Sequence, residues 1–286
     1  MNKKNDFSQK MHSYLRHPAS LIMMILVKLA ALITFTVLIF LIVYILVHGV
    51  PYLKPSLFSL HYNSENASLM PALINTVIMT LLSLLLAVPI GIFSAIFLAE
   101  YAGKGNKFVD IIRLTTETLS GIPSIVYGLF GMLFFVSTCH WGFSLLAGAF
   151  TLAIMILPLI MRTTEEALLS VPDSYREGSF GLGAGKLRTV FYIVLPSAVP
   201  GILAGVILAI GRIVGETAAL IYTAGSVAQV PSSVLGSGRT LAVHMYLLAS
   251  EGLYMDQAYA TAVVLLVIVM LINLGSTFVA KKINKY

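Results

Sequence analysis

Residues Leu21–Val47 read LIMMILVKLAALITFTVLIFLIVYILV, and Lys28 is the only charged residue in this run. About 20 consecutive apolar residues allow an α-helix to cross the hydrocarbon core of a bilayer, so this run predicts a membrane span. Of the 286 residues, 58% are hydrophobic and 10% are charged, whereas a soluble domain carries about 25% charged residues. This composition excludes a soluble enzyme, a disordered chain and a coiled coil. The apolar runs are continuous rather than alternating, which also excludes a membrane β-barrel.

Six stretches are long and apolar enough to span a membrane, so the sequence predicts an all-α polytopic membrane protein. They cover roughly 22–48, 71–98, 119–138, 142–162, 198–224 and 257–280. The first is too long for the apolar region of a signal peptide and has no small-residue cleavage site after it, so we expect an uncleaved helix. The predicted organisation is a short basic cytoplasmic tail, residues 1–20, followed by one membrane domain, residues 21–286.

The distribution of basic residues predicts the orientation. If the N-terminus is cytoplasmic, 15 of the 18 lysines and arginines fall in inside segments, and only Lys54 and Arg239 fall outside. The one basic residue left over from this count is Arg212, within the fifth predicted span. This bias predicts a multi-pass protein of the inner (cytoplasmic) membrane with both termini in the cytoplasm. It also accounts for the net charge of +6 without a nucleic-acid partner.

Residues 171–200, VPDSYREGSFGLGAGKLRTVFYIVLPSAVP, form a long inside segment with its own helical pattern. Ser174 and Glu177 have the spacing of a capping box, which predicts that a short helix begins there. Three glycines at 181, 183 and 185 predict a turn, because glycine adopts a positive φ without steric cost. A second helix is expected from about Lys186 and should end before Pro196.

This segment resembles the EAA loop of ABC importer permeases. The family pattern is E-A-A, three residues, G, nine residues and I-x-L-P; here it reads Glu177-Gly178-Ser179, then Gly183, then Ile193-Val194-Leu195-Pro196. Gly178 and Ser179 replace the two alanines. The resemblance implies the type I ABC importer permease fold, with a coupling segment at 171–196 that docks on an ATPase subunit. The residues it assigns to coupling are Glu177, Gly183, Ile193, Leu195 and Pro196.

Three further segments are similar to the phosphate branch of this family, specifically to its PstA-type permeases. They are GIPSIVYGLFG at 121–131, LPLIMRTTEE at 157–166 and RIVGETA at 212–218; the sister PstC-type subunit shares several of these marks. The resemblance implies half of a translocation pathway for inorganic phosphate. The partners it implies are a second, PstC-like permease, two ATPase subunits and an extracytoplasmic phosphate-binding protein. ATP and Mg²⁺ would be bound by those ATPases, so the chain is expected to hold no cofactor and to be no enzyme itself.

Arg212 and Glu216 are four residues apart near the middle of the fifth predicted span, and hence on one helix face. A charge at this depth usually faces a water-filled path, and the arginine fork matches two oxygens of a tetrahedral oxyanion. We therefore predict a substrate pathway at Arg212, Glu216 and Thr217. The alternative is a structural ion pair that fixes helix packing. Gly211 and Gly215 suggest that this helix packs closely on a neighbour.

Arg162 and Glu166 end the fourth predicted span, where they are either gate residues or interfacial anchors. Two other functions remain open: a permease for another oxyanion such as sulfate or molybdate, and an ion-coupled carrier or channel. An intramembrane enzyme is disfavoured because no paired acids or Ser–His set lie at one depth. The histidines lack metal-ligand spacing, and the single Cys139 cannot form an internal disulfide, so no metal site is assigned.

Overall fold

The computed structural model describes residues 18–102 and 107–283, and all regular elements in these ranges are helical. Residues 1–17 of the predicted basic tail, Lys104 and Lys285 lie outside the described residues. The helices, in chain order, are α1 (Pro18–Gly49), α2 (Met70–Ile96), α3 (Lys107–Ser120), α4 (Ser124–Gly131), α5 (Leu145–Leu169), α6 (Asp173–Gly181), α7 (Lys186–Val214), α8 (Ala218–Ile221), α9 (Leu241–Glu251) and α10 (Met255–Ile283).

Three π-helical turns interrupt or extend these helices. One continues α2 over Phe97–Tyr101, one continues α4 over Met132–Thr138, and one lies inside α7 over Val190–Val194. Single π turns within α-helices are frequent at functional sites. One of the three, Val190–Val194, lies within the 171–196 segment, and the Phe97–Tyr101 turn contacts that segment.

Within the described residues, five helical stretches are long and apolar enough to cross a membrane by themselves: Ala19–Tyr52, Met70–Tyr101, Leu145–Leu169, Lys186–Val214 and Met255–Gly275. The third predicted span, 119–138, is not one straight helix. Helix α3 and the helix Ser124–Thr138 are bent by 100° relative to each other, because Gly121 and Pro123 separate them. The six-span prediction is confirmed when this bent pair is counted as one span.

The fifth span differs from the prediction at both ends. The helix does not end before Pro196 but runs from Lys186 to Val214, whereas the sequence predicted 198–224. The π turn over Val190–Val194 shifts the hydrogen-bond pattern by one residue just before the proline. The Ser197 hydroxyl then donates to the Ile193 carbonyl oxygen at 2.7 Å. A proline inside a membrane helix is tolerated when side chains and such adjustments satisfy the freed backbone groups.

Helix α5 lies at the centre of the bundle and packs against α2, α3, α4 and α7. The core around it is made of large side chains that are almost fully buried, among them Met79, Leu152, Ile156, Ile160, Ile213 and Leu220. Close contact between α5 and α7 occurs at Gly201 and Gly205: a Cβ on Gly201 would lie 2.6 Å from Ala167, and one on Gly205 would collide with Thr163. Close packing at Gly211 and Gly215, which the sequence suggested, is not formed within the described part of the chain, because a Cβ at either position would meet no atom of another helix within 4 Å.

Candidate functional site

A cavity of about 590 Å³ lies between α3, α5 and the end of α7. Its lining contains three arginines and three glutamates: Arg113, Arg162, Arg212, Glu117, Glu165 and Glu166. We call this space the Arg212 cavity. The structure thus brings Arg212 of the predicted pathway together with Arg162 and Glu166 of the predicted gate. Arg113 and Glu117 were missed, although the amphipathic pattern of residues 107–120 could have indicated a polar helix face.

Two of the three arginines are engaged with carboxylates. Arg113 Nη2 lies 2.6 Å from Glu165 Oε1, and Arg162 Nε lies 2.9 Å from Glu166 Oε1 one helical turn away. Arg212 is half-buried and forms no ion pair with a carboxylate in the described part of the chain. Of the three arginines in this cavity, Arg212 is therefore the one whose guanidinium is available to an anionic ligand.

Helix α5 extends about two turns further than predicted, to Leu169, so Arg162 and Glu166 lie within the helix rather than at its end. Their side chains are each 63% exposed. An ion pair as open to solvent as this one contributes little to stability, because water screens the two charges. The pair can separate at little cost, which suits a gate contact as well as an anchor.

Glu216 does not share a helix face with Arg212, and this part of the prediction was wrong. Helix α7 ends at Val214 with Gly215 as its C-cap, so Glu216 belongs to the connection to α8. Its side chain is buried, and Oε1 accepts a hydrogen bond from the backbone N–H of Ala219 at 3.0 Å. A carboxylate in this place satisfies an orphan N–H at the start of a helix.

Thr217 lies away from the Arg212 cavity. It lines a second, largely apolar cavity of about 640 Å³ between α1, α8, α9 and α10. Three tyrosines, Tyr222, Tyr246 and Tyr259, share this lining. The structure therefore separates Thr217 from Arg212, although the two are only five residues apart in the chain.

Residues 171–196 form a helical hairpin, called the 171–196 hairpin below. Its first helix, α6, begins at Asp173 after Pro172, without a side-chain cap, so the capping box predicted for Ser174 and Glu177 is not formed. At its end, Gly183 has a φ of +81°. The N–H of Gly183 donates to Phe180 O at 2.9 Å and that of Ala184 donates to Ser179 O at 3.1 Å. This pair of bonds is the Schellman motif, which favours glycine at the left-handed position.

The exposed surface of this hairpin is unusually apolar. Leu182 is 91% exposed, and it is accompanied by further exposed large side chains, namely Tyr175, Phe180, Leu187 and Tyr192. Of the residues assigned to coupling, Glu177, Gly183, Ile193 and Pro196 are exposed and Leu195 is half-buried. The Ser179 and Thr189 hydroxyls, 2.8 Å apart, join the two arms of the hairpin. An exposed apolar surface on a rigid hairpin is suited to contact with another protein.

Arg176 holds this hairpin against the membrane helices, which the sequence did not reveal. Its Nη2 lies 2.6 Å from Glu100 Oε1, with side chains only 15% and 8% exposed. The two residues are 76 positions apart, and neither belongs to a motif that would have paired them.

A second polar cluster lies near the start of α2, at the opposite end of that helix from Glu100. The Arg239 guanidinium stacks over the Tyr62 ring, with Cζ 4.7 Å from its centroid. His244 is fully buried and its ring lies edge-on to Tyr62 at 6.1 Å. Burial and the neighbouring Arg239 charge lower the pKa of His244 to about 3. Asn75 ties the adjoining loop to α2 by donating to Gln229 O and Arg239 O.

Within residues 18–102 and 107–283, no three His, Cys, Asp or Glu side chains are grouped so that they could hold a metal ion. The family model described as "Binding-protein-dependent transport system inner membrane component" matches residues 87–285. The chain belongs to this family. The resemblance seen in the 171–196 hairpin is thereby confirmed for the larger part of the permease.

Individual relatives agree with this assignment. The permease is 34% identical over 275 residues to the probable ABC transporter permease protein YqgI of Bacillus subtilis, covering 90% of this chain and 93% of that protein. It is 39% identical over 178 residues to the phosphate transport system permease protein PstA of Haemophilus influenzae, covering 62% of each. It is 35% identical over 211 residues to PstA 1 of Mycobacterium tuberculosis strain H37Rv, covering 73% and 68%.

Solved structures agree on the fold. A bacterial ABC transporter involved in alginate import superposes with a TM-score of 0.68 at 16% identity, covering 96% of the permease and 99% of that chain. The MetNI methionine ABC transporter in an inward facing form gives 0.62 at 22% identity, covering 75% and 95%. The fold is therefore that of a type I ABC importer permease, as the sequence predicted.

Proposed function

We propose that this permease is a PstA-type subunit of an ATP-driven phosphate importer and forms half of the translocation pathway. The observation that carries the proposal is Arg212, which faces a cavity of about 590 Å³ and has no ion-pair partner among the described residues. The relatives that are named as phosphate transport permeases support phosphate as the cargo.

The chemistry of Arg212 suits an oxyanion. A guanidinium stays protonated at every physiological pH, and its planar fork donates two parallel hydrogen bonds to two oxygens of a tetrahedral anion. Glu165 and Glu166 are already engaged with Arg113 and Arg162. Their negative charge is thus largely compensated. The third glutamate of the lining, Glu117, is exposed to solvent and forms no ion pair with an arginine of this cavity, so water screens its charge. The anion therefore meets Arg212 as the available partner. The exposed Arg162–Glu166 pair is suited to act as the gate beside it.

Energy would enter through partner proteins. We assign the exposed apolar surface of the 171–196 hairpin to contact with one of two ATPase subunits, which would bind ATP and Mg²⁺ in place of this chain. A short helix pressed into a partner's groove is a common mode of recognition. A PstC-like permease would complete the pathway, and an extracytoplasmic binding protein would deliver phosphate.

This function requires the hairpin and both chain termini to be cytoplasmic. Ser64 lies in the exposed connection between α1 and α2, and Ser174 is exposed on α6. In a Cys139→Ser background, a cysteine at Ser64 should react with an impermeant maleimide in intact cells. A cysteine at Ser174 should react only after permeabilisation. The opposite pattern would contradict the proposed orientation.

The cargo is tested by purifying the complex that assembles around the tagged permease, identifying its subunits, and measuring ATP-dependent uptake into proteoliposomes. We expect an ATPase and a second permease to co-purify. With the binding protein present, radiolabelled phosphate should enter and labelled sulfate or molybdate should not. Uptake of sulfate or molybdate in preference to phosphate would transfer the function to another oxyanion. Phosphate uptake that needs neither ATP nor an ATPase would indicate an ion-coupled carrier.

A further inference from the structure

We infer that the Arg176–Glu100 ion pair is the joint through which movement of the 171–196 hairpin reaches the membrane-spanning helices α2 and α5. Both are positioning residues, and the inference rests on the function proposed above, since it presumes that an ATPase moves the hairpin. The joint is not part of the exposed surface on which an ATPase would dock.

The ion pair itself is close and shielded. Arg176 lies on α6, and Glu100 lies in the π turn that ends α2. Arg176 Nη2 is 2.6 Å and Nε is 3.2 Å from Glu100 Oε1, so two donors on one edge of the guanidinium share the same carboxylate oxygen. The side chains are 15% and 8% exposed. Removing one partner of a shielded pair leaves the other charge buried without compensation, which makes such a contact hard to break.

The remaining donors of Arg176 reach a third element. Nη2 donates to Leu168 O at 2.9 Å, and Nη1 donates to Val171 O at 2.7 Å. These carbonyls belong to the last turn of α5 and to the connection that follows it. One guanidinium therefore joins α6 to the ends of both α2 and α5. The additional contact with Asp173, which is 87% exposed, adds little because water screens it.

The other arm of the hairpin reaches the same π turn. Lys186, the first residue of α7, places Nζ 5.0 Å from the centroid of the Tyr101 ring. Tyr101 is the neighbour of Glu100 in the Phe97–Tyr101 turn. Arg176 on one arm and Lys186 on the other thus hold adjacent residues of α2.

Two π turns, one in contact with the hairpin and one within its second arm, indicate how this connection could transmit movement. Arg176 and Lys186 contact the turn Phe97–Tyr101, and the second arm continues into the turn Val190–Val194. A π turn holds one residue more than the α-helical pattern, so its hydrogen bonds can be redistributed without breaking the helix. A displacement of α6 would then be transmitted to α2 and α5 through the hydrogen bonds of the Arg176 guanidinium. The two π turns would accommodate the resulting change in helix direction by rearranging their backbone hydrogen bonds.

Three substitutions distinguish an ion pair that transmits movement from one that only stabilises the fold. Glu100→Gln removes the charge of the acceptor and keeps its shape. Arg176→Lys keeps the positive charge and loses the forked contacts with Leu168 and Val171. Asp173→Asn is the matched control, because it alters the exposed contact of the same guanidinium and leaves the Glu100 pair in place.

The first measurement is ATP hydrolysis by the reconstituted complex, with and without the loaded binding protein. We expect Glu100→Gln and Arg176→Lys to lower the stimulated rate and the transport per ATP about tenfold, a size typical of lost coupling. Basal hydrolysis and co-purification of the ATPase should be preserved, and Asp173→Asn should behave as the wild type. Wild-type transport per ATP in both Glu100→Gln and Arg176→Lys would overturn the inference. So would a parallel loss of assembly and basal hydrolysis, which would show a merely structural bond.

The second measurement does not depend on transport. In a Cys139→Ser background, spin labels at Ser174 on α6 and Phe97 on α2 report the distance across the joint in nucleotide-free and ATP-bound complexes. The wild type should give one narrow distribution in both states, and Glu100→Gln should broaden or shift it. An unchanged distribution in Glu100→Gln would contradict the joint. Should the complex move another oxyanion instead of phosphate, the cargo proposal fails, and the joint is tested with that oxyanion.

Discussion

Glu216 Oε1 accepts a hydrogen bond from the backbone N–H of Ala219 at 3.0 Å, and the carboxylate forms no ion pair with Arg212. The contact depends on Gly215, which ends α7 and places Glu216 in the connection to α8. Two charged residues four positions apart thus have separate surroundings: Arg212 lines the cavity, and Glu216 caps a helix. Their substitutions should therefore have independent effects.

Glu216→Gln tests this separation. Glutamine keeps an oxygen that can accept from Ala219, so we expect the variant to fold and to transport phosphate within about twofold of the wild type. Glu216→Ala removes the cap and should lower the unfolding free energy by about 1 kcal/mol. Uptake at matched expression and the thermal unfolding midpoint are the measurements. Loss of uptake by a well-folded Glu216→Gln variant would return Glu216 to the pathway.

Gly183→Val tests the turn of the 171–196 hairpin. With a φ of +81°, a β-branched residue would be strained by about 1–2 kcal/mol or more, although no neighbouring atom obstructs a side chain there. We expect transport-coupled ATP hydrolysis to fall while the membrane helices remain inserted. Gly183→Asn should retain most activity, because asparagine tolerates this conformation.

Gly185 provides the control for that experiment. It also has free space around its Cα but an ordinary φ of −74°, so Gly185→Val should be tolerated much better than Gly183→Val. Equal activity of the two valine variants would show that the conformation of Gly183 does not matter for coupling.

The contact between α5 and α7 is tested by Gly205→Ala. The added methyl group would collide with Thr163, and overpacking of a close contact costs about 1–3 kcal/mol. The thermal midpoint of the purified complex should fall. Gly211→Ala on the same helix adds its methyl group in open space and should leave the midpoint unchanged or raise it slightly, because alanine favours a helix more than glycine does. Similar midpoints for the two variants would contradict close packing at Gly205.

Acid stability is tested through His244. Burial and the facing Arg239 charge hold its pKa at about 3, below the ordinary 6.5; the Tyr62 ring is the other titratable group that faces it. Between pH 6.5 and about pH 3 the imidazole is protonated in the unfolded chain but not in the folded chain. The contribution of His244 to the unfolding free energy is therefore complete above pH 6.5 and is lost as the pH falls below it. The slope is about 1.4 kcal/mol per pH unit. His244→Gln should show a flatter decline of the thermal midpoint between pH 6.5 and pH 4; identical slopes would contradict a neutral buried imidazole.

Hydropathy alone was sufficient to predict the number of spans and most of their positions, because crossing a bilayer requires a long apolar helix whatever its neighbours are. The left-handed turn at Gly183 was likewise predictable from local chemistry. The end of the fifth span was not, since a π turn compensates for Pro196 and Gly215 ends the helix early. Where this helix ends depends on a balance between α-helical and π-helical hydrogen bonding that residue preferences alone do not determine.

Contacts between distant residues were beyond sequence reasoning for a different reason. Arg176 and Glu100 become neighbours only when α5 and α6 bring the hairpin back to the end of α2. Arg212 shows the opposite case: its charge within an apolar run indicated a functional residue, and the structure places it in a polar cavity. A single charge can thus be recognised from its surroundings in the sequence, whereas its partner requires the fold.

The initial rate of ATP-driven phosphate uptake by Arg212→Gln, measured in proteoliposomes that contain the complete complex, tests the central claim most directly. Arg212 forms no ion pair with a carboxylate among the described residues. The substitution therefore leaves no buried carboxylate without its partner, and the complex should assemble normally. We predict that uptake falls about a hundredfold, because two charge-assisted hydrogen bonds of about 1.5 kcal/mol each are lost. Arg212→Lys, which keeps the charge without the fork, should retain part of the rate. Uptake by a fully assembled Arg212→Gln complex at the wild-type rate would contradict the claim that Arg212 receives phosphate.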